Sequence, residues 1–240
     1  MEPQIASALP VSRRKALGLL SLSGAVLAGG GLAAAPLHAE APPADAALPV
    51  IRTPAEALAE LMSGNQRFVA GRPVGPHRSM TRVHELSDGQ TPFAAVLSCA
   101  DSRVPVEILF DQGFGDVFVC RAAGNVVTPE MTGSLEFGTA VLGAQALVVL
   151  AHTSCGAVKA TIAGDAVPGQ ISALYQHIQP AVDATPGREP EAVARQNARM
   201  QASLLRTASP VIGGLVRENK LVVVPAVYEL ATGRVTLLDP

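Results

Sequence analysis

At 240 residues, 48% of them hydrophobic and 16% charged, the chain has enough apolar material for one sizeable core and no disordered or low-complexity bias. A formal net charge of −2, with no basic stripe, argues against nucleic acid as a partner. Three cysteines are too few for a disulfide scaffold, and the odd count leaves at least one thiol unpaired.

The N-terminal residues carry an address signal. Ser12-Arg13-Arg14-Lys15 forms a positive n-region, and Ala16 to Ala35 is apolar but loosened by glycine and serine. Small residues around Leu37-His38-Ala39 suit a signal peptidase, so residues 1–39 read as a signal peptide and the protein as exported, periplasmic or extracellular. The arginine pair resembles a twin-arginine signal, the receptor-read address of a route for folded proteins. An uncleaved membrane anchor is the alternative, because the apolar stretch approaches spanning length. Residues 40–50 (EAPPADAA and its flank) read as a linker, which leaves one folded domain over 51–240.

That domain begins with a helix. Thr53 is placed to cap it and Pro54 suits its first position, while Leu58, Leu61 and Met62 recur at helical spacing up to about Phe68. An apolar stripe on this helix, outside the sheet region, suggests a surface for a second subunit. The polar stretch with Pro73, Gly75 and Pro76 predicts a loop. Four apolar runs then predict buried strands over 93–98, 116–121, 147–151 and 221–227. Helical patterns are expected over 133–142, 155–162, 171–182 and 191–218, with Gly143 and Gly164 at stops. Strands alternating with helices argue an α/β fold with a mainly parallel central sheet flanked by helices, an N-terminal helical arm, and a C-terminal antiparallel hairpin strand around Thr232-Gly233.

The chemistry sits at two strand ends. The first strand runs into Cys99-Ala100-Asp101-Ser102-Arg103, and an extended backbone there would project 99, 101 and 103 to one side. The third runs into His152-Thr153-Ser154-Cys155-Gly156 and then a helical pattern, which Thr153 or Ser154 is able to cap. Cys155 thereby falls in a first turn, where free N–H groups favour thiolate. The carboxyl edge of a parallel sheet is where open α/β folds bind ligands. A Cys2His set suits Zn²⁺ and leaves a fourth position for water or for Asp101, the layout of a catalytic site. Alone, either half reads as core cysteine and buried histidine; jointly, with Arg103 in phase with Asp101, they read as a metal site.

The stretch GQTPFAAVLSCADSRVPVEILFDQGFGDVFVCRAAGN (89–125), followed by VVLAHTSCGAV (148–158), resembles the two signature blocks of β-class carbonic anhydrases, and the likeness runs from about Glu56 to the C-terminus. The resemblance implies that Cys99, His152 and Cys155 are zinc ligands and that zinc-bound hydroxide reversibly hydrates carbon dioxide to bicarbonate and a proton. It also implies that Arg103 holds Asp101 off the metal, that a released Asp101 occupies the fourth position, and that Gln90 and Phe118 line the carbon dioxide pocket. A homodimer or homotetramer is implied as well. Two departures stand out: Ala122 follows Arg121 where the family often has Asn, and the absence of tryptophan rules out carrying over the regulatory bicarbonate site. Two readings remain as alternatives, a hydrolase of carbon disulfide or carbonyl sulfide on the same fold, and a non-catalytic zinc-binding protein. Cys120, mid-strand, reads as core; His77, His84 and His177 as surface; Gly113-Phe114-Gly115 as a turn.

Overall fold

The computed structural model describes residues 49–239. The expected signal peptide and nearly all of the linker lie outside these residues. Among the described residues, no helix is long and apolar enough to cross a membrane.

Helix α1 (Pro54–Val69) starts as the sequence dictates: the Thr53 hydroxyl accepts from the Glu56 amide, and the Glu56 side chain accepts from the Thr53 amide. Its apolar stripe is not left for a second subunit. Ala57 and Leu61 are fully buried against the chain's own sheet, with Leu58 and Met62 packed beside them. The predicted loop that follows contains a short helix, α2 (Met80–Glu85), capped by Ser79.

The sheet has the order β2-β1-β3-β4-β5, where β1 is Ala94–Ser98, β2 Val117–Arg121, β3 Ala146–His152, β4 Val222–Tyr228 and β5 Val235–Leu237. The first four strands pair in parallel and β5 closes antiparallel on β4, as the sequence predicts. Every residue of β1 and β3 is buried, because both faces of these central strands are covered. Alternate residues divide between two cores. Ala94 and Val96 face α1 and α3 (Val106–Leu109), while Ala95 and Leu97 face the helices on the other side.

That second layer holds α4 (Pro129–Glu136), which continues as a π turn over Phe137–Val141, then α5 (Gly156–Ala163), α6 (Tyr175–Asp183), α7 (Pro190–Ala208) and α8 (Pro210–Arg217). The single helix expected over 191–218 is therefore two. Pro210 cannot donate into the ladder and drives Ser209 to φ −92°, ψ 111°, and the Ser209 hydroxyl then caps α8 by accepting from the Ile212 amide. Helix α4 also begins earlier than predicted, because Thr128 caps it and Pro129 fills its first turn. Helix α7 buries Val193, Ala194, Asn197, Ala198, Gln201, Ala202 and Leu205 along one face, so two amides enter an otherwise apolar core.

Candidate metal centre

Strands β1 and β3 are neighbours, with Ser98 beside Leu150, so the residues just past β1 and at the end of β3 meet at one edge of the sheet. Cys99 follows β1, His152 ends β3 and Cys155 sits before α5. Their ligand atoms lie within 4.8 Å of one another and all three residues are buried, a group able to hold a metal ion.

The histidine is prepared for that role. Its Nδ1 lies 2.9 Å from the Thr153 carbonyl oxygen, which can only accept, so Nδ1 carries the proton and Nε2 the free lone pair. Nε2 is buried and has no hydrogen-bond partner. A buried acceptor left without a partner costs roughly 1–3 kcal/mol, so its position between two thiols fits a metal ligand better than a packing residue.

The thiols form a coupled pair. The hydrogen bond from Cys155 pulls Cys99 down to about 4 against the opposing effect of burial, with His152 and the Gly124 amide adding to the fall. Cys155 is pushed up by its bond with Cys99, by burial and by the Cys99 charge, while the amides of Ala157 and Val158 favour its thiolate. Without a cation between them, two adjacent thiolates repel, so only one ionises readily. Cys155 is itself the N-cap of α5, so the helix starts at Gly156, one residue later than predicted. Neither neighbour caps the helix: Ser154 is left-handed at φ 54°, and the Thr153 hydroxyl accepts from the Leu230 amide.

Asp101 and Arg103 meet by a different route from the extended one expected. The chain turns after Ala100: the Asp101 carbonyl accepts from the Val104 amide, and Asp101 Oδ1 accepts from the Arg103 amide at 2.9 Å. This Asx turn folds Arg103 back, so that its Nε and Nη2 donate to Asp101 Oδ1 and Oδ2 at 2.9 and 2.7 Å. The guanidinium's hydrogen bonds hold the Asp101 carboxyl well below the usual carboxylate range. Asp101 Oδ2 lies 3.8 Å from His152 Nε2, close to the three ligands while both its oxygens stay on Arg103.

Gln90 is exposed in the loop before β1. Phe118 lies on the edge strand β2, its ring over Gly138 and 6.4 Å from that of Phe137. His77 is not a plain surface residue: its Nδ1 is 2.7 Å from Asp116 Oδ1, which ties the 72–79 loop to the turn before β2. Cys120 is buried and its thiol is pushed up by that burial.

Two contacts were not legible in the sequence. Arg121 donates from Nε to the Cys99 carbonyl and from Nη2 to that of Asp101, at 3.0 and 2.6 Å, and so clamps the turn that carries both residues. The Gly124 amide donates to Cys99 Sγ at 3.3 Å. The signal for both is the pairing of Ser98 with Arg121, which a run of residues does not display.

Residues 94–235 match the family described as carbonic anhydrase. Carbonic anhydrase 2 of Mycobacterium tuberculosis is 37% identical over 195 residues, covering 78% of this chain and 93% of that protein. The carbonic anhydrase of Mycolicibacterium smegmatis is 38% identical over 192 residues, covering 77% and 93%. Among solved structures, a tetrameric β-carbonic anhydrase of Sordaria macrospora superposes with a TM-score of 0.61 at 23% identity, covering 77% of this chain and 98% of that one, and the β-carbonic anhydrase CcaA superposes at 0.61 and 24% identity, covering 76% and 95%. The parallel sheet is the fold of these β-carbonic anhydrases, and the family match with the two relatives makes the chain an enzyme of the carbonic anhydrase family, with a buried Cys-His-Cys group at its sheet edge.

Proposed function

We propose that the protein is a zinc enzyme that reversibly hydrates carbon dioxide to bicarbonate and a proton, with Cys99, His152 and Cys155 as ligands and Asp101 and Arg103 as the catalytic dyad. The observation that carries this reading is the partnerless Nε2 of His152, buried between two thiols and beside a carboxylate already held by an arginine. Two sulfurs and an imidazole select zinc over hard cations. When bound, zinc would supply Lewis acidity that brings a water's pKa down from about 15.7, less far than a three-histidine site because two thiolates offset its charge, so activity should rise above neutrality.

The chain's own groups do the rest. The Nδ1–H bond to the Thr153 carbonyl keeps the His152 lone pair inward. Arg103 keeps Asp101 ionised and turned so that it accepts a hydrogen bond from the attacking oxygen, which aligns that oxygen's lone pair toward carbon. Arg103 is half exposed, so the dyad borders solvent. Gln90 and Phe118 are proposed to line the substrate pocket. Because both lie on exposed or edge positions, a homodimer or homotetramer that covers this edge would complete the pocket. Exposed Phe114, Phe137 and Val141 support such a contact.

We further propose a cleaved signal over 1–39, a linker over 40–50 and a catalytic domain over 51–240, exported folded with zinc in place. Replacing Arg13 and Arg14 by Lys should trap the precursor in the cytoplasm, and normal export of that variant would refute the route. The central test is stopped-flow hydration of carbon dioxide together with metal analysis. One zinc per chain and activity lost on chelation are expected, and full activity in metal-free protein would overturn the proposal.

A further inference from the structure

We infer that Asn197, on α7, is a positioning residue for Cys99, acting through the Gly124 peptide; the inference rests on the metal-centre reading given above. After β2 the chain reverses through Gly124 at φ 77° and Asn125 at φ 46°, two successive left-handed residues that need to be held in place. Gly124 is gripped from both of its polar ends. Its amide donates to Cys99 Sγ at 3.3 Å, and its carbonyl accepts from Asn197 Nδ2 at 2.9 Å. Asn197 is fully buried, and its own orientation is set by Gln201, whose Nε2 donates to Asn197 Oδ1 at 3.2 Å. Gln201 holds the same loop further on, accepting from the Val127 amide at 2.8 Å, and also donates to the His177 carbonyl. A side chain at Gly124 would bring its Cβ to 2.6 Å from Ile178 Cδ1, so the loop packs closely against α6 at this residue.

The consequence lies at the sulfur. An N–H···S bond occupies one lone-pair direction of Cys99, disperses part of the thiolate charge and fixes where the remaining lone pairs point. Partners of metal ligands that act in this way typically change metal affinity by roughly 10–100-fold when removed. The two buried amides in this otherwise apolar helix face are both spent on the backbone of the 124–127 loop, accepting from the Val127 amide and donating to the Gly124 carbonyl. The pattern fits a helix that sets the geometry of a loop rather than one that only covers it.

The test separates positioning from packing. In zinc-loaded protein, Asn197→Leu should release zinc to excess chelator about tenfold faster than wild type, and in cobalt-substituted protein it should move the thiolate-to-metal absorption band. Leu205→Ala removes a buried side chain from the same helix without touching the loop, so it should lower thermal stability while leaving release rate and band unchanged. Wild-type release and an unmoved band in Asn197→Leu would overturn the inference, as would equal changes in Leu205→Ala. Should Asn197→Leu not fold, wild-type protein loaded with cadmium-113 provides the variant-free measurement. Scalar coupling between the Gly124 amide proton and cadmium through Cys99 supports the inference, and its absence overturns it. Zinc retained in full by Cys99→Ser would instead bring down the metal-centre reading, and this inference with it.

Discussion

Two of the buried polar clusters among the described residues, one beside α1 and one at the sheet edge, differ in how their lone pairs are used. Near α1, the Asp111 carboxylate is fully buried yet fully engaged. Oδ2 accepts from Arg67 Nε at 2.7 Å and the Val74 amide at 2.9 Å, and Oδ1 accepts from the Gly75 amide at 2.8 Å. Arg67 spends its other donors on Glu60 and Ser63. One acceptor in this neighbourhood, Gln112 Oε1, has no partner, but it is a single neutral amide oxygen whose own Nε2 is anchored on Glu60 and Phe110. At the Cys-His-Cys group three soft or borderline donors converge and the partnerless one is the histidine nitrogen. A buried cluster that satisfies itself is a fastener; one whose lone pairs converge on each other is built to receive a cation.

Substitutions sharpen that contrast, and the largest effect is expected at the converging cluster. Cys99→Ser should lose zinc and activity together, with residual hydration below about 1% of wild type, the level set by losing an ion worth orders of magnitude in rate. Metal analysis with stopped-flow hydration checks it; retained zinc would place the site elsewhere.

Arg103→Ala should separate metal from rate. It frees an Asp101 carboxylate that lies 3.8 Å from His152 Nε2 and is then able to compete for the open metal position. Activity should fall at least roughly a hundredfold with zinc near one per chain, since a misaligned catalytic group costs that much. Raising the pH should restore part of the rate. Near wild-type rates at pH 8 would reduce the dyad to a surface ion pair.

At the fastener the order reverses. Asp111→Asn should leave zinc content unchanged and cost about 3 kcal/mol in urea unfolding, because it breaks one side of a buried ion pair. Burial by itself raises the Asp111 pKa, but the Arg67 hydrogen bond and the amides of Val74 and Gly75 outweigh it, so the folded value is depressed. Its stabilisation is therefore complete above the unfolded aspartate value of about 3.9 and lost as pH falls below it. The stability gap between wild type and Asp111→Asn should close under acid conditions; a gap that widens would reverse the assignment.

The smallest effect is expected at Cys120, which belongs to neither cluster. Cys120→Ala should cost about 1 kcal/mol in thermal unfolding and change neither zinc content nor hydration.

Taken alone, the sequence determined what local chemistry and periodicity are able to encode. Unbroken apolar runs specified four strands, although the edge strand β2 is only half-buried, Thr53 and Glu56 specified the start of α1, and Gly164, left-handed at φ 67°, specified the end of α5. Cys99, Asp101, His152 and Cys155 were legible as a set because metal-ligand residue types cluster at two strand ends. Some misses were local as well: Ser209-Pro210 carries the signal that splits α7 from α8, and Thr128-Pro129 the one that starts α4. Tertiary structure decided everything that depends on strand order. Only the pairing of β1 with β2 brings Arg121 and Gly124 onto Cys99, and only the packing of α7 over that loop puts Asn197 and Gln201 behind it. It also decided that the α1 stripe is spent within the chain, because a helix face does not state which surface will cover it. Hydrogen bonds that close over residues 25 and 73 apart in sequence leave no local pattern, since their donors and acceptors are ordinary amides until the sheet has assembled.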